Sequence, residues 1–228
     1  MSDTNKTPRV ALLTGGSRGI GAAIRNELEA RAIRVVAPSS NDLNLASPAS
    51  IESYFSGPGK RPFDVLVNNA GINVLNAIDA IDTATWEQMV QIDLTAPLRL
   101  IQHVVPAMQA KRYGRIVNIS SIFSLVTRER RGAYSAVKSG LNGLTRTAAV
   151  EFGPHGILVN AVCPGYVATE LTTKNNSPQE LSRIADTIPL RRLAEPLEIA
   201  RLVAFLCSEE NSYLTGQTVA VDGGLLCV

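Results

Sequence analysis

Short apolar runs alternate along the chain with longer stretches whose apolar positions recur every three to four residues. The runs are VALLT (10–14), RVVAP (34–38), FDVLVN (63–68), RIVNIS (115–120), ILVNAV (157–162) and TVAVD (218–222). Helical periodicity covers 19–31, 84–111 with a break near Pro97, 133–152 and 196–207. Runs of Val, Ile and Leu this continuous suit strands buried on both faces, and their alternation with helices predicts a parallel sheet with right-handed crossovers. The expected class is α/β, doubly wound, with helices on both faces of the sheet.

With 228 residues and no repeat or linker, the chain reads as one domain over 9–228 behind a frayed 1–8. Residues 170–190 read as a polar excursion with a short helix of its own, a candidate lid. Charged residues make up 18%, below the roughly 25% of an ordinary domain, which predicts surface given over to subunit contacts. Lys plus Arg number 22 against 20 for Asp plus Glu, with no long single-sign run, so nucleic-acid binding is not expected. No apolar stretch reaches the roughly 20 residues of a membrane span, and the polar start lacks a signal pattern, so the expected location is cytoplasmic. Cys163, Cys207 and Cys227 show no paired spacing and read as reduced thiols; His103 and His155 lie near no ligand cluster, and no metal is expected.

The segment TGGSRGIG places Thr14, Gly15, Gly19 and Gly21 between the first strand and the first helix. Glycines there let the backbone approach a pyrophosphate, whose charge sits on free N–H groups at the positive end of the helix dipole.

TGGSRGIG resembles the TGxxxGxG signature of the short-chain dehydrogenase/reductase family, and the likeness runs over nearly the whole chain. NNAG stands at Asn68, Asn69, Ala70 and Gly71, after what the family numbering makes the fourth strand. Ser121 is followed thirteen residues later by Tyr134 and Lys138 in YxxxK, and Asn160 to Thr169 carry N-x-V-x-PG-x-V-x-T. The tail IPLRRLAEPLEIARLVAFLCSEENSYLTGQTVAVDGG is similar to the 3-oxoacyl-(acyl carrier protein) reductases. The resemblance implies a Rossmann-type sheet and hydride transfer between nicotinamide C4 and a substrate carbonyl carbon, with Tyr134 as proton donor, Ser121 holding the carbonyl oxygen, and Lys138 binding the nicotinamide ribose. It also implies cofactor contacts from Thr14, Gly15, Ser17, Arg18, Gly19, Ile20 and Gly21, from Asn68, Ala70 and Gly71 on the adenosine-ribose side, and from Pro164, Gly165, Val167 and Thr169 near the carboxamide.

Elementary chemistry supports the central pair. Four residues apart on a helix, Tyr134 and Lys138 project from one face, and a nearby ammonium favours phenolate. Ser121, at the carboxyl end of a strand, points into the crevice where open parallel sheets bind ligands, and its hydroxyl can stabilise charge on a carbonyl oxygen.

The chain departs from the family in three places. Only 54 positions separate Thr14 from Asn68, so the helix between strands two and three is expected to be missing, and aligning NLAS with the family's adenine-contacting motif puts Asn44 and Leu45 there. After strand two, where an acid would select NAD, stand Ser39 and Ser40, with Arg18 nearby; NADP(H) is favoured, and Asp42 keeps NAD(H) as the alternative. The family's catalytic Asn, twenty-eight residues before the Ser, is Asp93, where the main-chain carbonyl is expected to serve and the carboxylate to compete for the Lys138 charge.

The cluster Arg128, Glu129, Arg130 and Arg131 reads as a solvated loop or as a mouth for an anionic substrate, and Lys111, Arg112 and Arg115 resemble the basic ridge that meets an acyl carrier protein. Trp86 reads as helix packing. The resulting expectation is an NADP(H)-dependent oxidoreductase acting on a small-molecule carbonyl or secondary alcohol, of which a 3-oxoacyl thioester is one form. Keto-sugar chemistry in polysaccharide assembly is the alternative among enzymes, and a non-catalytic dinucleotide sensor is the alternative outside them. The apolar faces of 133–152 and the terminal LLCV predict a homo-oligomer, a tetramer.

Overall fold

A computed structural model describes residues 8–228; the expected fraying falls on 1–8, all but its last residue outside the described part. Six strands form one parallel sheet: β1 (Val10–Leu13), β2 (Arg34–Val36), β3 (Val65–Asn68), β4 (Gly114–Ile119), β5 (Ile157–Pro164) and β6 (Thr218–Val221), in the order β2-β1-β3-β4-β5-β6. The helices are α1 (Gly19–Ala30), α2 (Pro48–Ser56), α3 (Thr83–Val90), α4 (Ala96–Lys111), α5 (Gly132–Phe152), α6 (Glu170–Asn175), α7 (Pro178–Thr187) and α8 (Pro196–Cys207).

Strand side chains alternate between two apolar layers. Ala11, Leu13, Val65 and Val67 pack with Ile24 and Leu28 of α1 and Ile199 and Val203 of α8. Leu12 and Leu66 go to the opposite face, against Ile51 of α2, Leu100 and Val104 of α4, and Ala148 of α5. Both faces are therefore covered, which is why the strand sequences are apolar without alternation. This is the doubly wound, Rossmann-like arrangement expected from the pattern.

The departures lie where the chain is short. Residues 37–47 form only turns, so a strand is absent along with the expected helix: β2 is the outermost strand on its side, and Asn68 ends the third strand in sequence rather than a fourth. The stretch after them makes α2 instead, started by Pro48 in its first turn and by the Ser47 hydroxyl, which accepts from the Ser50 N–H. Between α3 and α4 the helix does not break at Pro97. It passes through a π turn over Gln91–Thr95, and Pro97, the second residue of α4, follows directly on that wider turn. The excursion holds two helices rather than one; a capping box of Ser177 and Glu180 opens α7. Among the described residues no helix is long and apolar enough to cross a membrane.

Candidate active site

The sheet order reverses between β1 and β3, and a cleft of about 700 Å³ opens at the carboxyl ends of these strands. One wall is the loop from Thr14 to Gly21. The Thr14 hydroxyl accepts from the N–H groups of Asn69 and Ala70, both at 3.0 Å, and the Asn69 side-chain amide donates to the Thr14 and Gly15 carbonyls at 2.9 and 3.1 Å. These bonds lock the glycine loop to NNAG. A Cβ at Gly21 would stand 2.0 Å from the Gly15 carbonyl oxygen, so no larger residue permits this close turn into α1. Arg18, at the N-cap of α1, gives the helix no side-chain cap, leaving first-turn N–H groups to an anion.

The facing wall holds Ser121, Tyr134 and Lys138. Ser121 caps a short helical turn after β4, its Oγ accepting from the Phe123 N–H at 3.2 Å, whereas Ser120 is tied to the Lys138 carbonyl. Tyr134 and Lys138 share a face of α5, with the Lys138 Nζ 5.6 Å from the centre of the tyrosine ring. Phe123 meets the Tyr134 and Tyr166 rings edge-on.

Lys138 is buried. Its Nζ donates to the Ile119 carbonyl at 3.0 Å and lies 3.1 Å from Asp93 Oδ1. Asp93 is 0% exposed; Oδ2 accepts from the Ile72 N–H, while Oδ1 meets the ammonium as an ion pair and accepts no aligned hydrogen bond. Room for Oδ1 comes from Gly71, where a Cβ would stand 2.4 Å from it. Burial raises the Asp93 carboxyl above its usual range, against the pull of Lys138. Burial works to lower Lys138, but the Asp93 charge, aided by Tyr134, more than offsets it, and the ammonium is held above its ordinary value.

All but two of the residues expected at the site line this one cleft, from Thr14 through Ser39, Ser40, Asn44 and Leu45 to Thr169. The exceptions are Asn68 and Asp93. Asn68 lies beneath the cleft, donating to Asn118 Oδ1, and Asn118 in turn donates to Thr145 of α5; it braces the sheet, and Asn69 takes the place on the wall. Asp93 sits behind Gly71 and reaches the cleft only through Lys138, which makes it a positioning residue. Sequence reading passed over Phe123 and Tyr166 as wall residues; of the charge cluster read as a solvated loop or a mouth for an anionic substrate, Arg131, at the N-cap of α5, lines the cleft.

Two further expectations change. Ser39 is engaged by Asp42, whose carboxylate accepts from the Ser39 hydroxyl at 2.7 Å and its N–H at 3.3 Å, and Arg18 pairs with Glu170 at 3.1 Å. Arg115 is no surface ridge. It is buried, donating to the carbonyls of Ser208 and Asn211 and stacking on Tyr113, because a guanidinium so placed joins β4 to the loop after α8. Lys111 is held 2.7 Å from Asp64.

A family model described as Enoyl-(Acyl carrier protein) reductase matches residues 22–226. The 3-oxoacyl-[acyl-carrier-protein] reductase of Vibrio cholerae is 34% identical, with 98% of this chain and 100% of the relative aligned. The acetoacetyl-CoA reductase of Shinella zoogloeoides is 39% identical over 95% of this chain and 98% of the relative. Among solved structures, a gluconate 5-dehydrogenase from Burkholderia cenocepacia in complex with NADP and tartrate superposes with a TM-score of 0.87 at 26% identity, covering 96% of each chain. Matched by this family model over most of its length and by relatives of 34 and 39% identity over nearly all of it, the chain belongs to the short-chain dehydrogenase/reductase family and is an NAD(P)-dependent oxidoreductase.

Proposed function

We propose that the protein is an NADP(H)-dependent reductase of a small-molecule carbonyl, with a 3-oxoacyl group as the first substrate class to try. The carrying observation is that the glycine loop and the Ser121, Tyr134 and Lys138 wall face one another across a single cleft. The site fits a dinucleotide: Gly15 and Gly21 let the loop turn tightly against Asn69 with no room for a Cβ, α1 opens without a side-chain cap on its first-turn N–H groups, and Arg18 and Arg25 line the same end. Bound there, the nicotinamide supplies or takes the hydride. Ser121 Oγ holds the carbonyl oxygen, and Tyr134 gives it a proton. Lys138, kept cationic by Asp93, steadies the phenol's charge and would hold the ribose of a bound cofactor. Thr169 and the Val167 backbone border the carboxamide end.

Support for NADP(H) comes from serines rather than an acid at positions 39 and 40 on the cleft wall and from the NADP named with the Burkholderia relative, Ser39 having first to be released from Asp42. Support for a 3-oxoacyl substrate comes from the names of the Vibrio and Shinella relatives; an acyl carrier protein is then a candidate partner, though Arg115 contributes nothing to its docking. The exposed Val150 on α5 and Leu98 on α4 support a homotetramer, which light scattering tests. NADPH oxidation followed across 3-oxoacyl thioesters, keto sugars, keto acids and simple ketones tests the reading. Turnover of at least one is expected, and binding of NADPH with no turnover of any would replace the reductase by a dinucleotide sensor.

A further inference from the structure

A second cation faces the cleft on the reactive side, and nothing in the protein neutralises it. Arg131 is 3% exposed and lines the cleft with Ser121 and Tyr134. Its guanidinium lies over the Phe123 ring, 4.6 Å from the centre. Among the described residues no carboxylate lies within salt-bridge distance and no acceptor takes a hydrogen bond from it; its Nε is buried without any partner. Every other buried or half-buried cation here is answered: Lys138 by Asp93 and Ile119, Arg115 by main-chain carbonyls, and Arg9 by Glu209 and Asp64.

An orphaned buried cation is costly, and the neighbouring Arg128 adds like charge. Such a group is kept where a ligand completes it. We infer that Arg131 is the receptor for a carboxylate carried by the substrate itself, so that the enzyme acts on short oxo or hydroxy acids rather than on their neutral esters or thioesters. This rests on the proposed reductase reading and puts the free oxo acid in place of the 3-oxoacyl thioester as its substrate.

Three features select a carboxylate on the substrate. The dinucleotide phosphates belong at the glycine loop, on the opposite wall. Arg131 is the N-cap residue of α5, three positions before Tyr134 and so at most about 10 Å from it along the chain, and both line the cleft beside Phe123, so the anion sits only a few carbons from the reacting carbonyl. A phosphate on a long carrier arm would remain outside, at the exposed Arg128. The planar fork of a guanidinium held over Phe123 presents paired N–H donors of the spacing a carboxylate accepts.

The test uses four matched pairs, pyruvate, acetoacetate, levulinate and 5-oxohexanoate, each against its methyl ester, with NADPH oxidation as the readout. At least one acid should exceed its ester by tenfold or more in kcat/KM, and in Arg131→Gln that ratio should fall at least tenfold. Taking the ratio within one variant cancels losses from misfolding or weaker cofactor binding. Esters used as well as acids in all four pairs, or an acid preference that survives Arg131→Gln, would overturn the inference. Should none of the eight be reduced, the wider carbonyl panel decides the reductase reading and binding alone decides this inference. Calorimetric titration of the four acids into the NADPH complex should then show at least one binding to the native protein and not to Arg131→Gln, and absence of that difference overturns the inference.

Discussion

The Asp93 carboxylate meets the Lys138 ammonium 3.1 Å away in a setting where neither is more than 5% exposed. Asp93→Asn keeps an amide oxygen for the Ile72 N–H but removes the countercharge. At neutral pH it should destabilise the fold by about 2 kcal/mol, less than the roughly 3–5 kcal/mol of breaking a buried pair outright, because a carbonyl dipole still faces the ammonium. The sign of the pH dependence follows from Lys138. Its folded pKa is raised in the native pair, so its contribution is full below the ordinary lysine value and lost as pH climbs through the folded one. Without Asp93 the lysine can shed its proton, and the deficit against the native protein should shrink between pH 8 and 10.5. Denaturant melts at both pH values check this; a deficit that grows with pH would contradict it.

The same substitution has a kinetic consequence. Without its countercharge the buried ammonium gives up its proton more readily, so the limb of the kcat/KM profile that Lys138 governs should move to lower pH while kcat near neutral pH changes by less than about tenfold, or roughly 1.4 kcal/mol of barrier. A pH–rate profile that does not move would show that Asp93 is not what holds the lysine's proton.

Tyr134→Phe deletes one oxygen and leaves the ring's contacts with Phe123 in place. NADPH affinity should persist, with nearly all kcat lost. Retention of a tenth or more of the rate would remove Tyr134 from the proton-donor role.

Asp42 holds both Ser39 donors that a 2′-phosphate would need. Asp42→Asn should therefore raise kcat/KM for NADPH over NADH by about fivefold, the worth of roughly 1 kcal/mol of freed hydrogen bonding. An unchanged cofactor ratio would show that the phosphate lies elsewhere.

Cys207 lies under the α8 face, and burial pushes its thiol up to about 12. Iodoacetamide at pH 8 should leave it unmodified in the native protein and alkylate it in guanidinium, as read by peptide mass spectrometry.

Most of the architecture was legible because strand burial on two faces writes itself as unbroken apolar runs, as in residues 65–67, and because Pro196 and the apolar face behind it mark α8. α2 escaped because its nine residues carry little periodicity and only Ser47 and Pro48 announce it. The π turn was invisible: nothing in residues 91–95 separates a wider turn from a helix end before Pro97. In the site, the family's interval selected Ser121 and Tyr134, and helix geometry accounts for Lys138 four residues on. Spacing could not separate Asn68 from Asn69, one of which strand alternation turns under the sheet. Nor could it show that Arg131, in a run of exposed charges, is enclosed.

The absent strand leaves β2 as the sheet's border, a row of main-chain donors and acceptors that would otherwise recruit a strand from another chain. That border is only three residues long. It begins with the exposed Arg34 and is followed within two residues by Pro38, which has no N–H to offer. The shortening that pared back the adenine side thus brought its own guard against edge-to-edge aggregation.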